Sequence, residues 1–262
     1  MARPIITLTT DFGLSDHFVA SMKGVILGIL PDAHIVDISH QVSAFNISEA
    51  AFVISQAYPD FPSKTVHVVV IDPGVGTSRR PILVSAAGQF FIAPDNGVLS
   101  MVYSREKHAV RAITNAKYFR RPVSDTFHGR DIFAPCAARL AKGARAASFG
   151  KPFGEYVRLA IDEPARTGAR SWSGMVLKAD RFGNLITNFR VSEFPILLTR
   201  PFRFAAGGCE ITEMARTFAD FPQGELFVLV GSAGFIEISM NQGSAAERLG
   251  IGAGAAVDLT TY

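Results

Sequence analysis

The first half of the chain alternates short runs of β-branched and aliphatic residues with longer stretches whose apolar positions recur every three or four residues. Pro4–Thr10 reads as a strand, stopped by Asp11-Phe12-Gly13. Ser15 and Asp16 offer N-caps for a helix to about Leu30, with Phe18, Met22, Val25, Ile26 and Ile29 as its apolar stripe. His34–Ile38 is a second strand, Asn46 or Ser48 starts a helix through Ala57, and Val66–Ile71 is a third strand. Strand–helix–strand–helix–strand is the pattern of a right-handed parallel sheet. Short strands follow at Ile82–Ser85, Phe90–Ala93 and Ala109–Ile113, with a turn at Asp95-Asn96-Gly97 and a helical turn over Val98–Tyr103. A last helix spans Ile132–Lys142, with Gly143 as its C-cap.

Between Gly150 and Gly168 the helical period is lost among Pro152, Gly154 and Pro164, which places a domain boundary there, with domains 1–164 and 165–262. Beyond it the texture changes. Met175–Ala179, Leu185–Phe189, Leu226–Val230, Phe235–Ser239 and Ala255–Leu259 are apolar or alternating runs separated by turn residues. The expected fold class is therefore α/β: an amino-terminal α/β domain with a mainly parallel sheet flanked by helices, plus a smaller carboxyl-terminal β-sandwich or barrel-like domain.

Composition narrows the function classes. With 48% hydrophobic and 19% charged residues in 262, the chain can bury a full core. The net charge of +3 is small and the basic residues are scattered, so no nucleic-acid partner is expected. No apolar run approaches the about 18 residues of a membrane span, so no membrane partner is expected either. The amino terminus lacks a signal-peptide pattern, and Cys136 and Cys209 stand far apart without metal-ligand spacing, so the expected location is cytoplasmic.

Candidate chemistry gathers where strands end. Asp72 sits at the carboxyl edge of the third strand, where open α/β sheets bind ligands. Gly74 and Gly76 let backbone approach a guest, and Arg79 can fold back over the same loop. Asp72 suits a general base, a water-orienting group, a metal ligand or a plain turn residue. Arg79 suits an anion or a hydroxide, or a surface ion pair. Asp11 can accept two hydrogen bonds from vicinal ribose hydroxyls, and serves equally as a cap or turn former. His128 lies just before a helix, where the dipole favours a neutral imidazole able to accept a proton, or one merely hydrogen-bonded in the core. Asp180-Arg181-Phe182-Gly183-Asn184 could grip an amine, stack a base and read a purine edge, and is also a plausible β-turn.

Taken together, Thr10-Asp11-Phe12-Gly13, Asp72-Pro73-Gly74-Val75-Gly76 with Arg79, Ala93-Pro94-Asp95-Asn96-Gly97, Phe127-His128-Gly129-Arg130-Asp131, Asp180-Arg181-Phe182-Gly183-Asn184 and Gly231-Ser232-Ala233-Gly234 resemble one family. It is that of the S-adenosyl-L-methionine hydroxide adenosyltransferases, formerly a domain of unknown function, relatives of the fluorinase and chlorinase. The resemblance runs in order over nearly the whole chain. It implies a homotrimer with active sites between one subunit's first domain and a neighbour's second. It also implies that Asp72, Arg79 and His128 form the triad for water and that Asp11 binds ribose. Asp180 and Ser232 match positions at the methionine end, and Phe182 and Asn184 match positions near adenine. Phe45 stands where the halogenases carry a tryptophan, Gly231 where many relatives have asparagine, and Gly129 where the fluorinase has serine. The fluorinase also has a tyrosine in place of Asp72, whose negative charge would repel a halide.

The implied reaction is in-line attack of water or hydroxide on C5′ of S-adenosyl-L-methionine, giving adenosine and L-methionine. The sulfonium leaves as a neutral thioether, so the nucleophile is the difficulty. Arg79 would stabilise hydroxide, Asp72 would hold the guanidinium and orient water, and His128 would take or relay the proton. The chemistry requires no metal and no cofactor; S-adenosyl-L-methionine is the substrate. A non-catalytic sensor of S-adenosyl-L-methionine or adenosine, and a halogenase, are the competing readings. A methyltransferase would need a glycine-rich loop after its first strand, where Thr9-Thr10-Asp11-Phe12-Gly13 has one glycine.

Overall fold

The computed structural model describes residues 3–160 and 163–262. Its contacts divide the chain at 159/160, inside the Pro- and Gly-bearing stretch, into two compact units.

The first unit contains β1 (Ile5–Thr10), α1 (Phe18–Ile29), β2 (His34–Ser39), α2 (Ile47–Ala57), β3 (Val66–Val70), β4 (Pro81–Ala86), β5 (Gln89–Pro94), α3 (Ser100–Arg105), β6 (His108–Ala112) and α4 (Ala134–Ala141). The sheet order is β2-β1-β3-β5-β4-β6. The first four are parallel neighbours, and β4 runs antiparallel to both β5 and β6. Side chains of a strand alternate between faces, and both faces are covered here. Val66, Val68 and Val70 join Met22, Ile26 and Phe133 in one core. Val69 and Ile71 join Ile54, Val102 and Tyr58 in the other. That double burial explains the unbroken β-branched run. His67 interrupts it because its ring is fully buried between Thr7 Oγ1 at 2.8 Å and Gln89 Oε1 at 3.0 Å. Burial pushes its pKa down to about 4, so it sits neutral.

Three local expectations are corrected or decided. Helix α1 starts at Phe18 with His17 as N-cap, and neither Ser15 nor Asp16 caps it. Its buried stripe is Val19, Met22 and Ile26, while Phe18 turns outward. Between Asn46 and Ser48 the structure selects Asn46, whose side chain accepts the Glu49 N–H at 3.0 Å. Asn46→Ala is expected to lower Tm by about 2–4 °C, the effect of losing about 1 kcal/mol of capping, measurable by calorimetry. The last helix begins as a π-turn over Gly129–Phe133, before α4. Pro135 has no N–H to return to the Asp131 carbonyl, which instead accepts the Arg120 N–H at 2.8 Å.

The second unit holds β7 (Ala165–Arg166), β8 (Ser171–Ala179), β9 (Leu185–Arg190), β10 (Phe202–Ala206), β11 (Cys209–Ile211), β12 (Met214–Ala215), β13 (Leu226–Val230), β14 (Phe235–Met240), α5 (Ala245–Leu249) and β15 (Ala256–Thr261). They follow one path, β11-β10-β15-β8-β9-β14-β13-β12, with β7 on β8. Strand β8 makes the bend: residues 171–175 pair with β15, and from Val176 the pairing passes to β9 with a register shift. The sheet curls around Phe189, Phe204, Val228, Ile236 and Leu259. Among the described residues, no helix is long and apolar enough to cross a membrane.

Candidate active site

Beyond the end of β3 the chain turns back on itself. The Val75 N–H donates to the Asp72 carbonyl, and Thr77 donates through both N–H and Oγ1 to Gly74. Gly76 has φ +77°, and a Cβ there would lie 2.4 Å from the Asp125 carbonyl oxygen, so only glycine fits. Asn96, from the turn after β5, donates to the Ile71 carbonyl at 2.8 Å and holds the strand end down.

The turn returns Arg79 onto Asp72. Arg79 Nε donates to Asp72 Oδ1 at 2.9 Å, Nη2 donates to Oδ2, and Nη2 also reaches His128 Nδ1 at 2.6 Å. The Arg79 and Asp72 side chains are 9% and 6% exposed, so this charge pair is desolvated rather than a surface ornament. The guanidinium also lies 5.2 Å over the Phe133 ring, and its Nη1 is buried with no protein partner. A guanidinium only donates, so His128 Nδ1 accepts and the neutral ring carries its hydrogen on Nε2. Burial, then the Arg79 charge, lowers the His128 pKa against the opposing pull of Asp72, Asp125 and Asp131.

Asp11, Phe45, Asp72, His128 and Gly129 line one cavity of about 300 Å³ in the first unit. Asp11 Oδ2 accepts the Phe45 N–H at 2.9 Å, which leaves the other oxygen free for a guest. Phe45 has φ +65°, a costly conformation for an aromatic residue, and its side chain is 70% exposed. Sequence reasoning missed the aromatic wall: Phe12, Phe18 and Phe127 pack with centroids 5.2–6.0 Å apart. At Gly129 a Cβ would meet Met22 Sδ at 3.2 Å and Phe127 Cε2 at 3.3 Å, so a side chain there would displace that wall.

In the second unit Asp180, Phe182, Asn184 and Ser232 line another cavity, of about 440 Å³. Asp180 Oδ1 accepts the Phe182 and Asn184 N–H groups, and Oδ2 accepts Asn184 Nδ2. Much of its hydrogen-bonding capacity therefore goes to shaping the loop that presents Phe182, which is 77% exposed. Glu237, not singled out from sequence, lines the same cavity; burial and then Asp180 raise its pKa. A Cβ at Gly231 would meet Glu237 Oε1 at 1.8 Å. The absence of a side chain at 231 is what gives that carboxyl its space.

The profile of the SAM hydroxide adenosyltransferase N-terminal domain matches residues 6–150, and that of the C-terminal domain matches residues 174–258. The chain belongs to the SAM hydroxide adenosyltransferase family. It is 38% identical over 257 residues to the (R)-S-adenosyl-L-methionine hydrolase of Salinispora arenicola, covering 95% of this chain and 94% of that one. A fluorinase from an Actinoplanes species is more distant, 28% identical with 98% and 97% covered. The crystal structure of an uncharacterized conserved protein from Thermotoga maritima superposes with TM-score 0.89 at 39% identity, covering 97% and 99%. Within this family frame, the mixed α/β sheet and the curled second sheet are the shared scaffold, and the Asp72–Arg79–His128 cluster stands at the edge of its parallel part.

Proposed function

We propose that this protein hydrolyses S-adenosyl-L-methionine to adenosine and L-methionine, with water attacking C5′ of the ribose. The observation that carries the reading is the hydrogen-bonded Asp72–Arg79–His128 cluster, two of whose members share a cavity wall with Asp11. A pure binder has no need of a buried guanidinium held between a carboxylate and an imidazole. Asp11 takes the ribose hydroxyls with its free oxygen. Arg79, fixed by Asp72 and held against His128, supplies the positive charge that stabilises the hydroxide as it develops. As the oxygen bonds C5′, the C5′–S pair leaves on sulfur, and the proton passes to His128, whose Nδ1 must first part from Arg79 Nη2, then to solvent. Phe182 and Asn184 serve adenine, and Asp180 and Ser232 the methionine end. One substrate molecule is taken to be shared between the two sets of residues. We place that sharing between subunits of a homotrimer, testable by light scattering. The free thiols Cys136 and Cys209 suit a cytoplasmic location.

The relatives are named (R)-S-adenosyl-L-methionine hydrolases, and the R epimer is taken as the substrate. The test is incubation of each epimer in oxygen-18 water, with and without chloride, followed by mass spectrometry. The expected products are methionine and adenosine labelled at the 5′-hydroxyl, faster from the R epimer. 5′-Chloroadenosine would replace the reading with halogenation, and bound but unchanged ligand would replace it with a sensor.

The pH profile gives a second test. His128 works as a neutral base and its pKa is lowered, so activity is present above that value and lost as pH falls through it. The acid limb of kcat should be centred below the ordinary histidine value of about 6.5, with a plateau at neutrality. A limb centred above that value would remove His128 from the role.

A further inference from the structure

Ahead of Asp11, on the side away from the triad, lies a second histidine with an ordered set of partners. Strands β1 and β2 are in register up to Leu8 opposite Asp37, and then β2 carries one extra residue, so that Thr9 faces Ser39. A bulge of this kind re-aims the residues that follow it. Here it brings His40 level with Thr10, the last residue of β1 and the one before Asp11. Thr10 is fully buried and His40 is 4% exposed.

Thr10 Oγ1 lies 2.8 Å from His40 Nδ1, and His40 Nε2 lies 3.0 Å from Asp37 Oδ1. Lys23 Nζ holds the other Asp37 oxygen at 2.5 Å. Nε2 is within ion-pairing distance of Asp37 but makes no hydrogen bond among the described residues, so the ring's hydrogen bond is that of Nδ1 with the Thr10 hydroxyl. Thr10 Oγ1 in turn accepts the Phe12 N–H at 3.3 Å, and the His40 carbonyl accepts the Gly13 N–H at 2.7 Å. Residues on both sides of Asp11 are thus tied to His40, Thr10 through the ring and Gly13 through the backbone carbonyl. Thr10 is buried away from the cavity, so the resemblance to a hydroxyl–histidine–acid relay is not a nucleophile.

We propose that His40, bonded to Thr10 and Gly13 on either side of Asp11, is the positioning residue that aims the Asp11 carboxylate at the substrate's ribose. This rests on the reading of Asp11 as the ribose-binding group. The relay acts only through Asp11, so its loss should weaken binding of the ribose diol and leave the chemical step alone.

The experiment compares S-adenosyl-L-methionine with its 2′,3′-dideoxyribose analogue. Thr10→Val, which keeps the shape and removes the hydroxyl, should raise KM for the normal substrate by about five- to tenfold, the worth of one buried hydrogen bond. Its kcat should change by less than about twofold, and its KM for the dideoxy analogue should move by no more than that. His40→Leu should behave alike, and His40→Asn, which keeps an acceptor at the Nδ1 position, should recover most of the loss. Equal KM losses with both substrates would overturn the proposal. If Asp11→Ala raises KM while Thr10→Val and His40→Leu do not, the proposal falls and the ribose role of Asp11 stands. If Asp11→Ala itself leaves KM unchanged, that role falls and the proposal with it.

Discussion

Arg79→Met should cut kcat by about 10²–10³, the usual cost of removing one preorganised donor from developing negative charge. The KM for S-adenosyl-L-methionine should change by less than about threefold, because the guanidinium acts on the attacking oxygen and not on the bound nucleoside. Methionine keeps the length and apolar stem of arginine, and it can remain over the Phe133 ring. What it removes is the fork that meets Asp72 with two hydrogen bonds and His128 with a third contact. Arg79→Lys should restore little, since a single ammonium cannot face both partners in the plane of a fork. Steady-state kinetics on purified variants decide the matter. A kcat within threefold of the native value would take Arg79 out of the reaction.

The second large effect falls on stability. Phe133→Ala is expected to cost about 3–5 kcal/mol, because the ring is fully buried in the core shared by α1, α4 and the sheet. For a chain of this size that lowers Tm by about 10 °C, at roughly 2–4 °C per kcal/mol. The same substitution removes the aromatic face under Arg79, so kcat should fall at temperatures where the variant is still folded. Phe133→Leu should regain much of the Tm, and less of the kcat, because leucine restores bulk without a π-face. Thermal denaturation and turnover at low temperature separate the two consequences.

How much of this was legible beforehand depended on the range over which each feature is determined. The parallel strands were readable because Ile5–Thr10 and Val66–Val70 are buried on both faces and, His67 apart, are built of β-branched or aliphatic residues. Strands β10, β11 and β12 and helix α5 escaped the reading; each is at most five residues long and takes its shape from neighbours rather than from its own pattern. The start of α1 was misplaced for a related reason. Ser15 and Asp16 have the right chemistry for a cap, but the loop after Asp11 is pinned by His40, and the helix starts where that loop releases it.

The site divides in the same way. Residues whose chemistry is rare at a strand end, such as Asp72 and Arg79 around a Pro-Gly turn, stand out in the chain itself. Glu237, His40 and the wall of Phe12, Phe18 and Phe127 did not, since nothing local distinguishes a phenylalanine in a core from one lining a cavity.

Sequence alone determined the order of strands and helices in the first unit, the change of texture near residue 160, and membership of a family, because these follow from periodicities and short phrases carried by neighbouring residues. Only the tertiary structure decided that Arg79 and His128, 49 positions apart, share a hydrogen bond, and that a one-residue bulge turns His40 onto Thr10. Those contacts depend on strand register and loop closure across the sheet, and such distances are set by packing rather than by any stretch of chain.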